Sequence, residues 1–276
     1  VTADRAAYVV RRHVLERVAA ALGPSAVSPL LVKGAGLAET VYREPWRRAM
    51  SDIDVVVRPE ALAATLAALE AAGIEVLPVP EDRRRSFALF AERIALVRTG
   101  PLCSTLELHT QLDKVVPHPI DWTGVWARAG RVSSLPAPFL VPCKEDHALL
   151  VVLHLALSDF DHPPAWEDLA ALFRAGLDER AVVERARAWG LVVPLALALA
   201  RFAELHPELE SASLRAELRV APWRHKLARK LFVQRGPRVL GLRWLARQSL
   251  LRDDPLRWFG GIVRFARLRG ADRFAW

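Results

Sequence analysis

Asp52 and Asp54 stand two residues apart at the front of a β-branched run, Met50-Ser51-Asp52-Ile53-Asp54-Val55-Val56-Val57. Side chains alternate between the faces of a strand. The two carboxylates therefore project together, while Ile53, Val55 and Val57 turn the other way into a core. Two acids on one face repel each other and resist burial. A divalent cation between them removes the conflict. Mg²⁺ takes one or two carboxylates and completes its shell with phosphate oxygens and water. A solvated strand end, or an acid capping the next element, uses the same residues, so the pair alone leaves both readings open.

Upstream, Pro29-Leu30-Leu31-Val32 predicts a short buried strand ending in Lys33-Gly34-Ala35-Gly36, and Leu37 to Tyr42 then has helical spacing. A strand, a small-residue turn and a helix start offer backbone N–H groups to an anion. Glycine lets a phosphate approach the main chain. Downstream, Leu102 to His109 predicts a strand on which Thr105, Glu107 and His109 share a face while Leu106 and Leu108 face the core. Glu107 joins Asp52 and Asp54 if the two strands are neighbours. His109 is either a polar residue beside the metal or a strand-end histidine bonded to backbone.

The stretch from Leu31 to Glu60, with Lys33-Gly34-Ala35, Tyr42 and Arg48-Ala49-Met50-Ser51-Asp52-Ile53-Asp54, followed by Leu106-Glu107-Leu108-His109, resembles the uncharacterised nucleotidyltransferase family of bacteria. That family lies within the polymerase-β-like nucleotidyltransferase superfamily. The superfamily pattern is a Gly-Ser or Gly-Gly turn, an acid pair and a third acid on a later strand. The turn here reads Gly34-Ala35 and lacks the serine hydroxyl. The resemblance implies an α+β fold, a small mixed-sheet nucleotidyltransferase domain followed by an all-helical domain. It implies transfer of an NMP from an NTP such as ATP to a hydroxyl-bearing acceptor, with small molecule, protein and RNA left open. It implies two Mg²⁺ ions on Asp52, Asp54 and Glu107, with Glu107 also able to take the acceptor's proton. Lys33, Gly34, Ala35, Arg48 and Ser51 are then the candidates for the nucleotide phosphates. The alternative is a non-catalytic nucleotide-binding or regulatory protein of the same fold. Asp54→Asn is expected to abolish activity and leave the fold intact, because it relieves repulsion between carboxylates.

The surrounding chain must position these groups. It has 276 residues, 52% hydrophobic and 25% charged, which fits a globular protein with a sizeable core and excludes a disordered chain. Cys103 and Cys143 have no metal-ligand spacing and form no disulfide framework, so a reducing cytoplasm is the expected setting. Residues 1–23 read as an amphipathic helix and not a signal peptide. No apolar run reaches membrane-spanning length. Pro59 opens a helix through Ala72, closed by Gly73, and Ile74 to Val79 is a short strand. Glu81 to Arg85 is a charged loop, and Ser86 to Phe90 pairs with Arg93 to Thr99. Residues 110–140 hold Pro117, Pro119, Pro136 and Pro138 and read as a connection, and from Lys144 the pattern is helical. The expected domains are 1–140, 141–235 and a tail, 236–276.

The net charge of +8 is uneven. Residues 215–276 carry 16 Lys and Arg against 4 Asp and Glu, a net of +12, so the rest is net −4. Trp223, Trp244, Trp258, Phe259, Phe265, Phe274 and Trp276 are interleaved with these arginines. The tail is read as a packed helix with a basic face, a helix lying on an anionic membrane surface, or an RNA contact surface. The lipid reading adds a peripheral place at the inner membrane face. The segment 236–276 is expected to be dispensable for the chemical step.

Overall fold

The computed structural model describes residues 3–25, 27–79, 93–100, 102–113, 117–218, 220–232, 248–256, 258–263 and 267. The expected charged loop at 81–85 and the hairpin arm at 86–90 lie outside them. The chain divides into two compact units.

The first unit, built from described residues of 3–113 and 123–143, holds a five-stranded sheet. Its strands are β1 (Leu30–Leu31), β2 (Asp52–Val56), β3 (Glu75–Val76), β4 (Arg93–Thr99) and β5 (Leu102–His109), in the order β1-β2-β5-β4-β3. β2 and β5 run parallel, and the other neighbours are antiparallel. β4 turns into β5 at Gly100, whose φ of +59° is left-handed backbone that glycine adopts without a Cβ clash.

The α+β class follows from how the sheet is covered. Helix α1 (Ala3–Leu22) sets Val14, Leu15, Val18 and Leu22 against Ile53, Val55, Leu106 and Leu108. Helix α3 (Leu62–Ala71) adds Leu69 to the same core. Burying each such side chain contributes about 1.5–3 kcal/mol. This apolar anchoring fixes the strand register, and a one-residue slip would turn the acids of β2 into the core.

Between β1 and β2 the expected small-residue turn is instead the first turn of helix α2 (Lys33–Thr40). The strand before it is shorter than predicted. Lys33 has φ +50°, which breaks the extended chain immediately after Val32. Helix α4 (Trp122–Arg128) closes this unit's far edge, where Trp126 Nε1–H donates to the Ser28 carbonyl at 3.1 Å.

The second unit, described residues of 117–122 and 144–263, is helical. Helix α5 (Lys144–Leu157) packs against α6 (Pro163–Arg174), α7 (Glu179–Ala188) and α8 (Val192–Leu205), followed by α9 (Ala212–Glu217) and α10 (Pro222–Phe232). Asp146 of α5 is fully buried and accepts from Arg185 Nη1 at 2.9 Å.

Helix α8 has no capping side chain at its own N-cap. The carboxylate of Asp253 supplies one from sixty residues downstream, accepting from the N–H groups of Val192 (2.9 Å) and Val193 (3.0 Å). Leu251 and Trp258 are buried, and Gln248 donates to the Ala156 carbonyl at 3.2 Å. Residues 248–256 and 258 thus include groups that the helical unit uses for packing and capping, so the expected dispensability of 236–276 concerns the chemical step and not stability. Asp253→Ala should lower stability by about 1–2 kcal/mol, the usual cost of a lost N-cap. Thermal unfolding of the full chain checks this. No helix among the described residues is long and apolar enough to cross a membrane.

Candidate active site

The parallel pairing of β2 and β5 sets Asp52 opposite Thr105, Asp54 opposite Glu107 and Val56 opposite His109. Residues in register share a face. Asp52, Asp54, Glu107 and His109 thus stand on the side of the sheet turned away from the α1 core. Donor atoms of Asp54, Glu107 and His109 lie within 4.8 Å of one another. His109 Nε2 is 3.0 Å from Asp54 Oδ1 and 3.6 Å from Glu107 Oε2. Asp52 shares the face but is not in this group. It is half-buried at the start of β2 and lines the neighbouring cavity.

Lys33 enters from the first turn of α2, its Nζ 2.5 Å from Asp54 Oδ1. Sequence alone left a lysine at a strand end free to be solvated. The helix start turns it inward instead. Burial by itself would raise the Asp54 carboxyl. The hydrogen bond from His109 and the charge of Lys33 outweigh burial and hold it well below the usual carboxylate range. Glu107 goes the other way: burial and the charge of Asp54 push its carboxyl up. Neighbouring carboxyls driven apart in this way are suited to different roles, one a permanent anion and one able to carry a proton.

His109 is 3% exposed, and among the described residues its Nδ1 has no hydrogen-bond partner. Of the two sequence readings of His109, its ring makes the contact with the acids and, among the described residues, none with backbone.

Arg48 is 8% exposed, and its guanidinium lies against Gly34. A Cβ on Gly34 would stand 2.9 Å from Cζ and Nη2 of Arg48. The space that glycine leaves is therefore filled by an arginine at the N-terminus of α2. Both the helix end and the guanidinium attract anions. Ala35 points its methyl into the apolar core, so only its backbone faces the turn.

Gly34→Ala should displace Arg48 while the fold survives, because the clash is with the far end of a flexible side chain. The expected outcome is a KM for nucleotide raised about tenfold, or about 1.4 kcal/mol, at nearly unchanged melting temperature. Steady-state kinetics beside thermal unfolding check it.

Arg11 was not singled out from the sequence. It is 7% exposed, with Nη2 donating to the Pro45 carbonyl at 3.2 Å and Nη1 to the Arg48 carbonyl at 3.5 Å. Burial lowers its pKa, and the charge of Arg48 adds to that against the opposing charge of Glu39. A signal was present: Arg11 continues the Val14, Leu15, Val18, Leu22 stripe, where an apolar residue is the rule. Arg11, Trp46, Arg48, Ser51, Asp52 and Thr105 line a cavity of about 410 Å³ at the N-terminal ends of β2 and β5.

Lys33, Asp54, Glu107 and His109 thus meet directly. Arg48, Ser51 and Asp52 stand around the adjoining cavity, and Gly34 joins them through Arg48. Two carboxylate oxygens and an imidazole nitrogen at these separations fit a divalent cation, and the cationic α2 end beside them fits phosphate.

Comparison with known proteins agrees with the chemistry of these groups. The model of the uncharacterised nucleotidyltransferase family matches residues 4–207. No curated protein matches the chain. Among solved structures, that of the antibiotic-resistance factor ANT(2'')-Ia aligns over 72% of this chain and 97% of its own, with 14% sequence identity and a TM-score of 0.43. With the match covering most of its length, all three sheet acids and the helical segment that follows them, the chain belongs to the uncharacterised nucleotidyltransferase family, whose general chemistry is transfer of a nucleotidyl group from an NTP.

Proposed function

We propose that this enzyme transfers an NMP from an NTP to a hydroxyl group by a metal-dependent in-line displacement centred on Asp54 and Glu107. One observation carries the proposal: the in-register Asp54–Glu107 pair on parallel strands, with donor atoms of both and of His109 within 4.8 Å, beside the start of α2. Asp52, Asp54 and Glu107 would hold the divalent ions. When bound, such ions neutralise charge on the triphosphate and lower the pKa of the acceptor hydroxyl. Asp54 stays ionised throughout and supplies a fixed negative charge. Glu107, with its raised pKa, is the group able to take the acceptor's proton. Lys33 moves from Asp54 to the leaving pyrophosphate when the nucleotide arrives. Arg48 and the first-turn N–H groups at Gly34 and Ala35 bind the same phosphates, and Ser51 adds a hydroxyl at the cavity rim.

The donor base and the acceptor are found together by one experiment. Each of the four [α-³²P]NTPs is incubated with the full chain, Mg²⁺ and cell extract, and label is followed into protein, RNA and small-molecule fractions. One fraction should be labelled, with EDTA removing the signal. Nucleotide binding without label in any fraction would instead establish the non-catalytic reading.

The basic tail is proposed to set where the enzyme works, at the cytoplasmic face of an anionic membrane. In its described part Leu256 (84% exposed), Phe259 (54%) and Val263 (50%) form an i, i+3, i+7 row on helical residues. Apolar rows flanked by arginines suit the interface of an anionic bilayer, where each cation adds about 1 kcal/mol. Leu256→Glu/Phe259→Glu should abolish flotation with anionic liposomes and leave the fold unchanged. Flotation of both proteins alike would reject this role, and a gel shift with RNA alone would reassign the surface to nucleic acid.

A further inference from the structure

The metal reading above treats His109 as a neighbour of the carboxylates. Its geometry supports more. We infer that His109 is itself a metal ligand, so that the site is a mixed oxygen and nitrogen centre selecting a divalent transition ion such as Mn²⁺ over Mg²⁺. The inference rests on the metal-dependent function proposed above and adds the identity of the ligands and of the ion.

Three observations carry it. The first is spacing. Adjacent donors on an octahedral ion with bonds of about 2.1 Å stand about 3 Å apart. His109 Nε2 is 3.0 Å from Asp54 Oδ1, to which it donates in the metal-free protein, and 3.6 Å from Glu107 Oε2, so with the ring proton on Nδ1 instead the three donors have the spacing of one coordination shell.

The second is membership. The group of three donors within 4.8 Å contains His109 and not Asp52, although Asp52 lies on the same sheet face. Register explains the difference. Asp52 is opposite Thr105 at the half-buried start of β2, while His109 is buried one same-face step beyond Glu107. The cavity begins at Asp52, which places that residue toward the substrate side of the centre.

The third is charge and burial. His109 is 3% exposed, so its nitrogen is held in place against the acids with little water to compete. Among the described residues its Nδ1 makes no hydrogen bond, so that nitrogen is open to carry the ring proton when Nε2 ligates. Lys33 already puts a cation on the Asp54 oxygen that His109 touches. A metal ion entering between the three donors takes over that neutralising role and frees Lys33. Imidazole nitrogen suits transition ions, whereas Mg²⁺ takes oxygen ligands and keeps its waters, so the third donor decides the preference.

The test uses metal-free full-length protein with Mn²⁺ and needs no turnover. Mn²⁺ binding is followed by loss of the free-ion electron paramagnetic resonance signal. Nitrogen ligation is read from electron spin-echo envelope modulation. The expected result is Mn²⁺ bound more tightly than Mg²⁺ in direct competition, since Mg²⁺ gains little from a nitrogen donor. A ¹⁴N modulation should be present and change to the ¹⁵N pattern when the protein is grown on ¹⁵N-histidine. His109→Gln should lose it and bind Mn²⁺ about tenfold more weakly. Mn²⁺ bound without nitrogen modulation, or a modulation that persists in His109→Gln, would overturn the inference and leave the carboxylate centre standing. No Mn²⁺ or Mg²⁺ binding by the wild-type chain would overturn the metal-dependent function as well. If His109→Gln fails to fold, loss of the nitrogen modulation is read in His109→Asn instead.

Discussion

Asp54→Asn is expected to lower turnover roughly a hundredfold to a thousandfold, the scale on which removal of one charge-stabilising group acts. It should also destabilise the metal-free protein. The sequence reading expected an intact fold, because losing one of two like charges on one face relieves repulsion. In the structure Asp54 is not an unbalanced charge. It accepts from His109 Nε2 and pairs with Lys33, and those partners hold its carboxyl well below the usual range. Asparagine keeps one carbonyl acceptor but takes away the negative charge that Lys33 and His109 face in a mostly buried site, at a cost of about 1–3 kcal/mol. The pH dependence follows from the sign. A depressed folded-state pKa contributes stability that is present above the unfolded value of about 4 and is lost as pH falls through the folded value. The gap between wild type and Asp54→Asn should therefore be full near neutral pH and close in acid. Urea unfolding of both proteins across that range measures it.

Glu107→Gln is expected to cut turnover as severely, yet to stabilise the metal-free protein at neutral pH. Here the folded-state pKa is raised, by burial first and then by the charge of Asp54. The stability this group contributes is present below its unfolded value of about 4.3 and is lost as pH rises through the folded value. A neutral glutamine avoids that loss. The carboxylate repulsion that the sequence assigns to Asp54 thus belongs to Glu107. Metal affinity supplies a second readout. A proton on Glu107 must leave before an ion binds, so wild-type affinity should rise with pH and level off above the Glu107 pKa. The glutamine variant should bind weakly with no such slope. A parallel slope in both proteins would place the titrating group elsewhere.

Much of this arrangement was legible because strand periodicity is simple. Alternation alone put Asp52 with Asp54 and Glu107 with His109, and the apolar partners of both strands fixed which face is buried. What alternation does not carry is the distance between strands. It gave no means of learning that Asp54, and not Asp52, stands opposite Glu107, since that depends on register across fifty intervening residues. The turn after β1 was misread for a local reason. Lys33-Gly34-Ala35-Gly36 has loop-like composition, yet Lys33 itself adopts the left-handed conformation and the helix starts there. Gly34 looked like room for a phosphate and is room for Arg48. Arg11 was hidden by its type, since a buried arginine bonded to backbone carbonyls looks like any solvated charge in a one-dimensional reading. Asp253 is the same lesson at longer range. A helix cap supplied from sixty residues away has no local signature.

The central claim is that Asp54 and Glu107 support transfer of the α-phosphorus group of an NTP, with pyrophosphate leaving. The measurement that tests it most directly runs α-labelled and γ-labelled NTP in parallel with extract and wild-type or Asp54→Asn protein. It adds a third reaction with the α,β-methylene analogue, in which the scissile oxygen is replaced. Label should reach the acceptor from the α position alone, fail with the methylene analogue, and fall at least about a hundredfold in rate with Asp54→Asn. Transfer of γ-label, or α-label transfer undiminished in Asp54→Asn, would contradict the account.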